Sequence, residues 1–104
     1  MTIVRLLAAI STGLLISFGL PANAEKPSLT VYTYASFVSD WGPGPLIEPA
    51  FEAQCRCDLK FVGVEDGAAL LGRLKLEGIR SSADVILGLD TSLVAEARQT
   101  GLLD

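Results

Sequence analysis

The stretch LTVYTYASFVSDWGPGP, from Leu29 to Pro45, begins as a β-strand and ends in a turn. Its first six residues are rich in β-branched and aromatic side chains, which are typical of strands. The Gly and Pro residues that close it are turn formers, and this turn carries the only Trp of the chain, Trp41. The pattern predicts a strand over Leu29–Tyr34 that leads aromatic side chains and one carboxylate, Asp40, into an exposed loop.

Two further strands are predicted, at Leu59–Val64 and at Ala83–Leu89. The last of these, ADVILGL, is a nearly continuous apolar run, as expected of a parallel strand that is covered on both faces. One helix is predicted after each strand, over Leu46–Gln54, Gly67–Glu77 and Thr91–Thr100. Strands that alternate with helices over short connections predict an α/β fold with a parallel sheet in βαβαβα order.

Residues 1–24 have the pattern of a cleavable signal peptide. Arg5 precedes an apolar run over Leu6–Leu20, and the small residues of Ala22–Ala24 come directly before Glu25. A retained membrane anchor is the alternative, but the apolar run of about 15 residues is short of the roughly 20 that a membrane span needs. We therefore expect an exported protein whose mature part is residues 25–104.

The composition argues against several classes of function. The net charge is −4, and the mature part lacks Arg5 and is more acidic still, with no basic cluster that would bind nucleic acid. The chain has no His, which excludes His-assisted Ser and Cys nucleophiles. Neither a phosphate-binding loop nor a dinucleotide motif is present. An enzyme is not expected.

The two cysteines, Cys55 and Cys57, are separated by one residue. In an exported protein a disulfide is favoured over free thiols, although so small a ring brings little entropic stabilisation. A zinc site needs about four ligands, and the chain offers no His and no further Cys. We predict a local disulfide and no metal site.

The carboxyl ends of parallel strands are where open α/β sheets bind ligands. Tyr34 and Trp41 lie after the first strand, where they are either packing residues or stacking walls for a flat heteroaromatic cation, which contributes about 0.5–2 kcal/mol per ring. Asp66 and Gly67 follow the second strand. Asp66 is either the N-cap of the next helix or an acceptor for a ligand amine, beside a glycine that allows close approach. For Asp90, after the third strand, capping is favoured.

Several sequence blocks between Leu29 and Leu103 resemble those of thiamine-binding periplasmic proteins, the solute-binding components of thiamine ABC importers. These blocks are LTVYTY, DWGPGP, AFEAQCRC, GVEDG, RLKLEG, ADVILGLD and TGLL. The resemblance implies a type II periplasmic-binding-protein fold of two α/β lobes, of which residues 25–104 would form part of the N-terminal lobe. It also implies a monomer in the periplasm that binds thiamine and its mono- and diphosphates and delivers them to a membrane permease and an ATPase subunit.

The resemblance places Asp66 and Gly67 at the family's thiamine contact, with Tyr34 and Trp41 as aromatic side chains that line the cleft. Ala35 stands where the family pattern has an acid. Receptors of the same fold for iron, a polyamine or a phosphonate are alternatives, of which iron is disfavoured because there is no His. A non-functional secreted remnant is another alternative.

The carboxyl end of the sequence predicts a truncated product. Gly101 is typical of a helix end, and Leu102 and Leu103 begin an apolar element that does not continue. The second lobe that the resemblance implies would then be missing. We therefore expect little thiamine binding by this chain alone.

Overall fold

The computed structural model describes residues 13–19 and 25–104. Residues 13–19 have no regular secondary structure, and the rest of the predicted signal peptide lies outside the described residues. Within the described part of the chain, no helix has both the length and the apolar character required to cross a bilayer.

A three-stranded parallel sheet forms the centre of the fold. Its strands are β1 (Ser28–Tyr34), β2 (Asp58–Val64) and β3 (Val85–Ile86), in the spatial order β2-β1-β3. β1 and β2 pair along their full length, and β3 pairs with the middle of β1, with Val85 beside Val31. All three strands therefore end at the same edge of the sheet.

The helices follow the strands as the sequence predicts. They are α1 (Ala35–Val38), α2 (Gly44–Cys55), α3 (Gly67–Glu77) and α4 (Thr91–Gln99), and a 3₁₀ turn at Gly78–Arg80 follows α3. The predicted α/β class with a parallel sheet in βαβαβα order is confirmed. α1 and the 3₁₀ turn are additional, because a single helical turn is too short to show helical periodicity in the sequence.

α3 contributes three leucines to the buried core beside the sheet. Leu70, Leu71 and Leu74 are all buried, as their spacing predicts for one apolar face. Ala97 of α4 is buried against the same cluster, and an ion pair between Lys75 and Glu96 joins the two helices on the surface. Leu71, Leu74 and Ala97 therefore join α3 and α4 in one apolar cluster.

The third strand differs from its prediction. Only two residues of the predicted strand Ala83–Leu89 pair with β1, and Val85 and Leu87 are 41% and 38% exposed. The expectation that this strand is covered on both faces is wrong for this structure, because the side chains of Val85 and Leu87 are left partly open to solvent within the described residues.

Candidate functional site

The segment after β3 brings the loops at the carboxyl edge of the sheet together. Gly88 has a φ of +107°, and a Cβ atom there would overlap the ring of Tyr34, the last residue of β1. A Cβ atom on Gly67 would lie 3.1 Å from the carbonyl oxygen of Gly88. Tyr34, Gly67 and Gly88, from three separate strand–helix connections, therefore meet at one point.

Tyr34 is a half-buried residue held by aromatic contacts. Its ring packs edge-on against Phe37 of α1, with 5.8 Å between the centroids, and Phe37 packs in the same way against Phe61 of β2 at 5.6 Å. Edge-to-face pairs at these distances are favourable. The Tyr34 ring is thus fixed by α1 on one side and by Gly88 on another.

Asp66 caps α3. Its Oδ1 atom accepts a hydrogen bond of 2.8 Å from the backbone N–H of Ala69, and the side chain remains exposed. This is the capping role that the sequence suggested as one of two alternatives. The ligand contact predicted for Asp66 remains a prediction, and an exposed, already oriented carboxylate is compatible with it.

Gly67 has a packing role. The position of its missing Cβ atom is 3.1 Å from the Gly88 carbonyl oxygen and 3.2 Å from a methyl carbon of Leu93. A larger residue would push α3 away from the segment after β3 and from α4. The close approach that glycine permits here is to the protein itself, and a ligand contact at Gly67 stays a prediction.

Trp41 projects into solvent from the loop between α1 and α2 and is 80% exposed. The loop is closed by a hydrogen bond of 2.8 Å from the Gly42 N–H to the Ser39 carbonyl. Gly42 and Gly44 are buried against the α1 backbone. The structure describes aromatic pairs among Tyr34, Phe37 and Phe61, but it does not bring Trp41 into contact with them.

Asp90 is the N-cap of α4. Its carboxylate accepts hydrogen bonds from the hydroxyl and the backbone N–H of Ser92, and these bonds hold the pKa of Asp90 below its ordinary value. The geometry agrees with the capping role that the sequence favours for this residue.

Phe37, Gly88 and Thr33 are features of the site that the sequence reasoning missed. A glycine inside an apolar strand pattern often marks a close approach of another chain segment, and Gly88 within the predicted strand Ala83–Leu89 carries this signal. Thr33 is fully buried, and its hydroxyl has no hydrogen-bond partner in the described part of the protein. Neither feature identifies a ligand by itself.

Cys55 and Cys57 form a disulfide in the structure, at the junction of α2 and β2. Cys57 is buried, and Arg56 between them adopts a left-handed conformation with a φ of +53°. Within residues 13–19 and 25–104, no group of three or more His, Cys, Asp or Glu side chains is placed to hold a metal ion.

Comparison with known proteins gives consistent matches. A protein of Escherichia coli strain K12 is 61% identical over 77 residues, which are 74% of this chain, and one of Brucella suis biovar 1 is 53% identical over 98 residues, or 93% of the chain. Both are named thiamine-binding periplasmic protein. The chain is similar to one part of these proteins. No family model matches it.

A solved structure of a periplasmic thiamin binding protein shares the fold. It aligns with 83% of this chain at a TM-score of 0.74 and 56% sequence identity, and the chain covers 28% of it. The chain likewise spans 24–29% of the length of the E. coli and B. suis thiamine-binding proteins. The resemblance seen in the sequence is confirmed, and the structure corresponds to less than a third of such a receptor.

Proposed function

We propose that this chain forms one wall of a periplasmic cleft that binds thiamine and its phosphates for delivery to the permease and ATPase of an ABC importer. The observation that carries the proposal is the 61% identity with the thiamine-binding protein of E. coli. The convergence of Tyr34, Gly67 and Gly88 at the carboxyl edge of the sheet supports it, because this edge is where α/β sheets bind ligands.

The chemistry of thiamine suits the exposed groups at this edge. Thiamine is a flat heteroaromatic cation with an exocyclic amine. The carboxylate of Asp66 is held in place by the cap and offers an anionic acceptor to the amine, while the faces of Tyr34 and Trp41 offer surfaces for stacking. No acid–base pair or nucleophile is needed for this task, and we propose a monomeric binding protein and not an enzyme.

The chain alone is expected to bind thiamine weakly. One wall leaves the other face of the ligand in water, whereas hinge closure between two lobes excludes it. Calorimetric titration of residues 25–104 with thiamine should give no binding at micromolar concentrations. A micromolar or tighter dissociation constant would contradict the expectation that the rest of a receptor is needed.

The role of Asp66 is testable in a hybrid protein, defined as the E. coli thiamine-binding protein in which the matched residues are replaced by those of this chain. Asp66→Asn keeps a side chain that caps helices as well as Asp does, but it removes the charge. Since a hydrogen bond to a charged group contributes about 1.5–3 kcal/mol, we expect thiamine affinity to fall by roughly 10–150-fold, measured by calorimetry.

Asp90→Asn is the matched control, since it makes the same change at the N-cap of α4. We expect it to leave thiamine affinity unchanged. If Asp66→Asn binds thiamine as tightly as the unmodified hybrid protein, Asp66 is a cap only. If the unmodified hybrid protein binds no thiamine, the proposed ligand is wrong for this chain.

A further inference from the structure

We infer that Thr33 is a positioning residue of the proposed cleft, and that its hydroxyl group, which is unpaired in this structure, accepts a hydrogen bond from the Gly88 N–H when thiamine is bound. The inference rests on the proposed function, because it concerns the bound state of the same cleft. It is based on the burial of the Thr33 hydroxyl, on the unpaired backbone of Gly88 beside it, and on the contact of Gly88 with Tyr34.

The Thr33 side chain is fully buried in β1, the central strand of the sheet. Among the described residues, its hydroxyl oxygen has no hydrogen-bond partner. A buried hydroxyl group without a partner destabilises a fold, whereas a valine of similar shape carries no polar group and also favours strands. Stability alone therefore does not account for a threonine at this position.

Gly88 lies beside this hydroxyl group. A Cβ atom on Gly88 would be 3.7 Å from Thr33 Oγ1. The preceding residue is tied to β1, since the Leu87 N–H donates a hydrogen bond of 2.9 Å to the Tyr32 carbonyl. None of the backbone hydrogen bonds within residues 13–19 and 25–104 involves Gly88. An unpaired hydroxyl group and an unpaired peptide group thus lie next to each other.

The geometry favours the N–H of Gly88 as the donor in this pair. Its carbonyl oxygen lies on the side of α3, where a Cβ atom on Gly67 would be 3.1 Å from it. A hydroxyl oxygen accepts hydrogen bonds as well as donating them, so Thr33 Oγ1 is a suitable acceptor. Gly88 has a φ of +107°, and glycine moves through this region of φ and ψ without steric cost. A rotation of its backbone can therefore form the bond.

Tyr34 connects this pair to the ligand. It follows Thr33 in β1, and a Cβ atom on Gly88 would overlap its ring. Thiamine stacked on Tyr34 would hold the ring in one orientation, and only some arrangements of the Gly88 backbone fit against the ring in that orientation. A ligand shifts a protein toward the arrangement that it binds better. The Thr33 hydroxyl would stabilise that arrangement.

Thr33→Val in the hybrid protein tests the inference, because it removes the hydroxyl group and largely keeps the shape of the side chain. Without thiamine, the urea midpoint of the variant should equal or exceed that of the unmodified hybrid protein, since no buried hydroxyl group is left unpaired. Its thiamine affinity, measured by calorimetry, should fall about 3–10-fold through the loss of one hydrogen bond. A merely structural role would not move stability and affinity in opposite directions.

Thr33→Ser is the matched variant. It keeps the hydroxyl group and loses a buried methyl group, so the urea midpoint should fall while thiamine affinity stays within about 2-fold. Thr30→Val, at the other end of β1, is the control for a threonine away from the cleft and should leave the affinity unchanged.

Hydrogen exchange gives a second measurement. At saturating thiamine, the Gly88 amide should exchange at least about 5-fold faster in Thr33→Val than in the unmodified hybrid protein, because its acceptor is missing. The Leu87 amide, which donates to the Tyr32 carbonyl, should exchange equally in both proteins.

Three results would overturn the inference while the proposed function stands. They are a Thr33→Val variant that binds thiamine as tightly as the unmodified hybrid protein, equal losses of affinity in Thr33→Val and Thr33→Ser, and a lower urea midpoint in Thr33→Val, which would show that the hydroxyl group already has a partner. Absence of thiamine binding by the unmodified hybrid protein would overturn the proposed function and this inference together.

Discussion

Arg56 is the one residue other than glycine, within residues 13–19 and 25–104, that has a positive φ. Its N–H donates a hydrogen bond of 3.0 Å to the Glu52 carbonyl, which closes the carboxyl end of α2. This left-handed position usually holds glycine, since a Cβ atom there costs about 1–2 kcal/mol. The flanking disulfide joins the residues on either side of it, and the backbone at Arg56 is thus constrained from both sides.

Replacement of Arg56 by glycine should therefore stabilise the protein. Part of the gain is offset by the greater freedom of glycine in the unfolded chain, and we expect the free energy of unfolding to rise by about 0.5–1 kcal/mol in urea titrations. Gln54→Gly, within the helix two residues earlier, is the control and should lower it by about 1 kcal/mol. A loss of stability in Arg56→Gly would show that the arginine side chain makes a necessary contact.

Tyr32 differs from Tyr34 in how its hydroxyl is used. The Tyr32 hydroxyl lies 2.9 Å from Ser82 Oγ and 3.3 Å from Glu77 Oε1, and the Arg73 guanidinium lies 4.5 Å from the centre of its ring. Tyr32→Phe should lower the free energy of unfolding by about 1–2 kcal/mol, because buried polar groups lose their partner. Tyr34→Phe is the matched control, with an expected loss below about 0.5 kcal/mol. Equal losses would mean that the hydrogen bonds of Tyr32 contribute nothing.

At the scale of elements, α3 is fixed near both of its ends. Asp66 caps its first turn, while Glu77 in its last turn forms an ion pair of 2.8 Å with Arg73. The hydrogen bond from Arg73 is the main reason that the pKa of Glu77 lies below its ordinary value, and bonds from Ser81 and Tyr32 act in the same direction. Stability at the carboxyl end of α3 is therefore linked to pH.

The sign of this linkage follows from the lowered pKa. Ionised Glu77 stabilises the fold at pH values above its ordinary pKa of 4.5, and this contribution is lost as the pH falls through the lower pKa of the folded state. Ionised Asp90 stabilises the fold in the same way, because its pKa is also lowered in the folded state. In urea titrations from pH 7 to pH 3, Glu77→Gln should reduce the acid-induced loss of stability. An unchanged pH profile would show that the Glu77–Arg73 pair does not contribute.

Local signals explain what the sequence predicts correctly. The bounds of α3 follow from the Asp66 cap, the spacing of its leucines and the glycine at position 78, all within one short segment. The approach of Gly88 to Tyr34 joins residues that are far apart in the sequence, and no local pattern encodes it. The exposure of β3 was mispredicted because burial of a strand depends on which segments pack on it, and the local sequence of the strand does not contain that information.

At the scale of the whole molecule, the buried core is small. Its apolar members are Val31, Tyr32, Cys57, Leu59, Leu70, Leu71, Leu74 and Ala97. Large apolar side chains remain exposed outside it, including Trp41, Leu46, Leu76 and Ile79. A domain of this size buries only about 60–65% of the surface of its unfolded chain, and its stability is correspondingly low.

We therefore expect this chain to unfold at a thermal midpoint at least about 15 °C below that of the hybrid protein, as measured by circular dichroism. The chain should also increase the fluorescence of an apolar dye more than the hybrid protein does at equal concentration, because its apolar side chains remain in water. Equal midpoints and equal dye binding would show that the described core is sufficient.

Gly88 has a consequence that joins two parts of the molecule. It lies two residues after the end of β3, and it is so close to the Tyr34 ring that not even a methyl group fits between them. If the segment that carries Gly88 moves, the Tyr34 ring must therefore reorient. If the Tyr34 ring is held in place, the movement of that segment is restricted in turn. If a ligand stacks on Tyr34 and restrains the segment that carries Gly88, then prior restraint of that segment favours ligand binding by the same free energy.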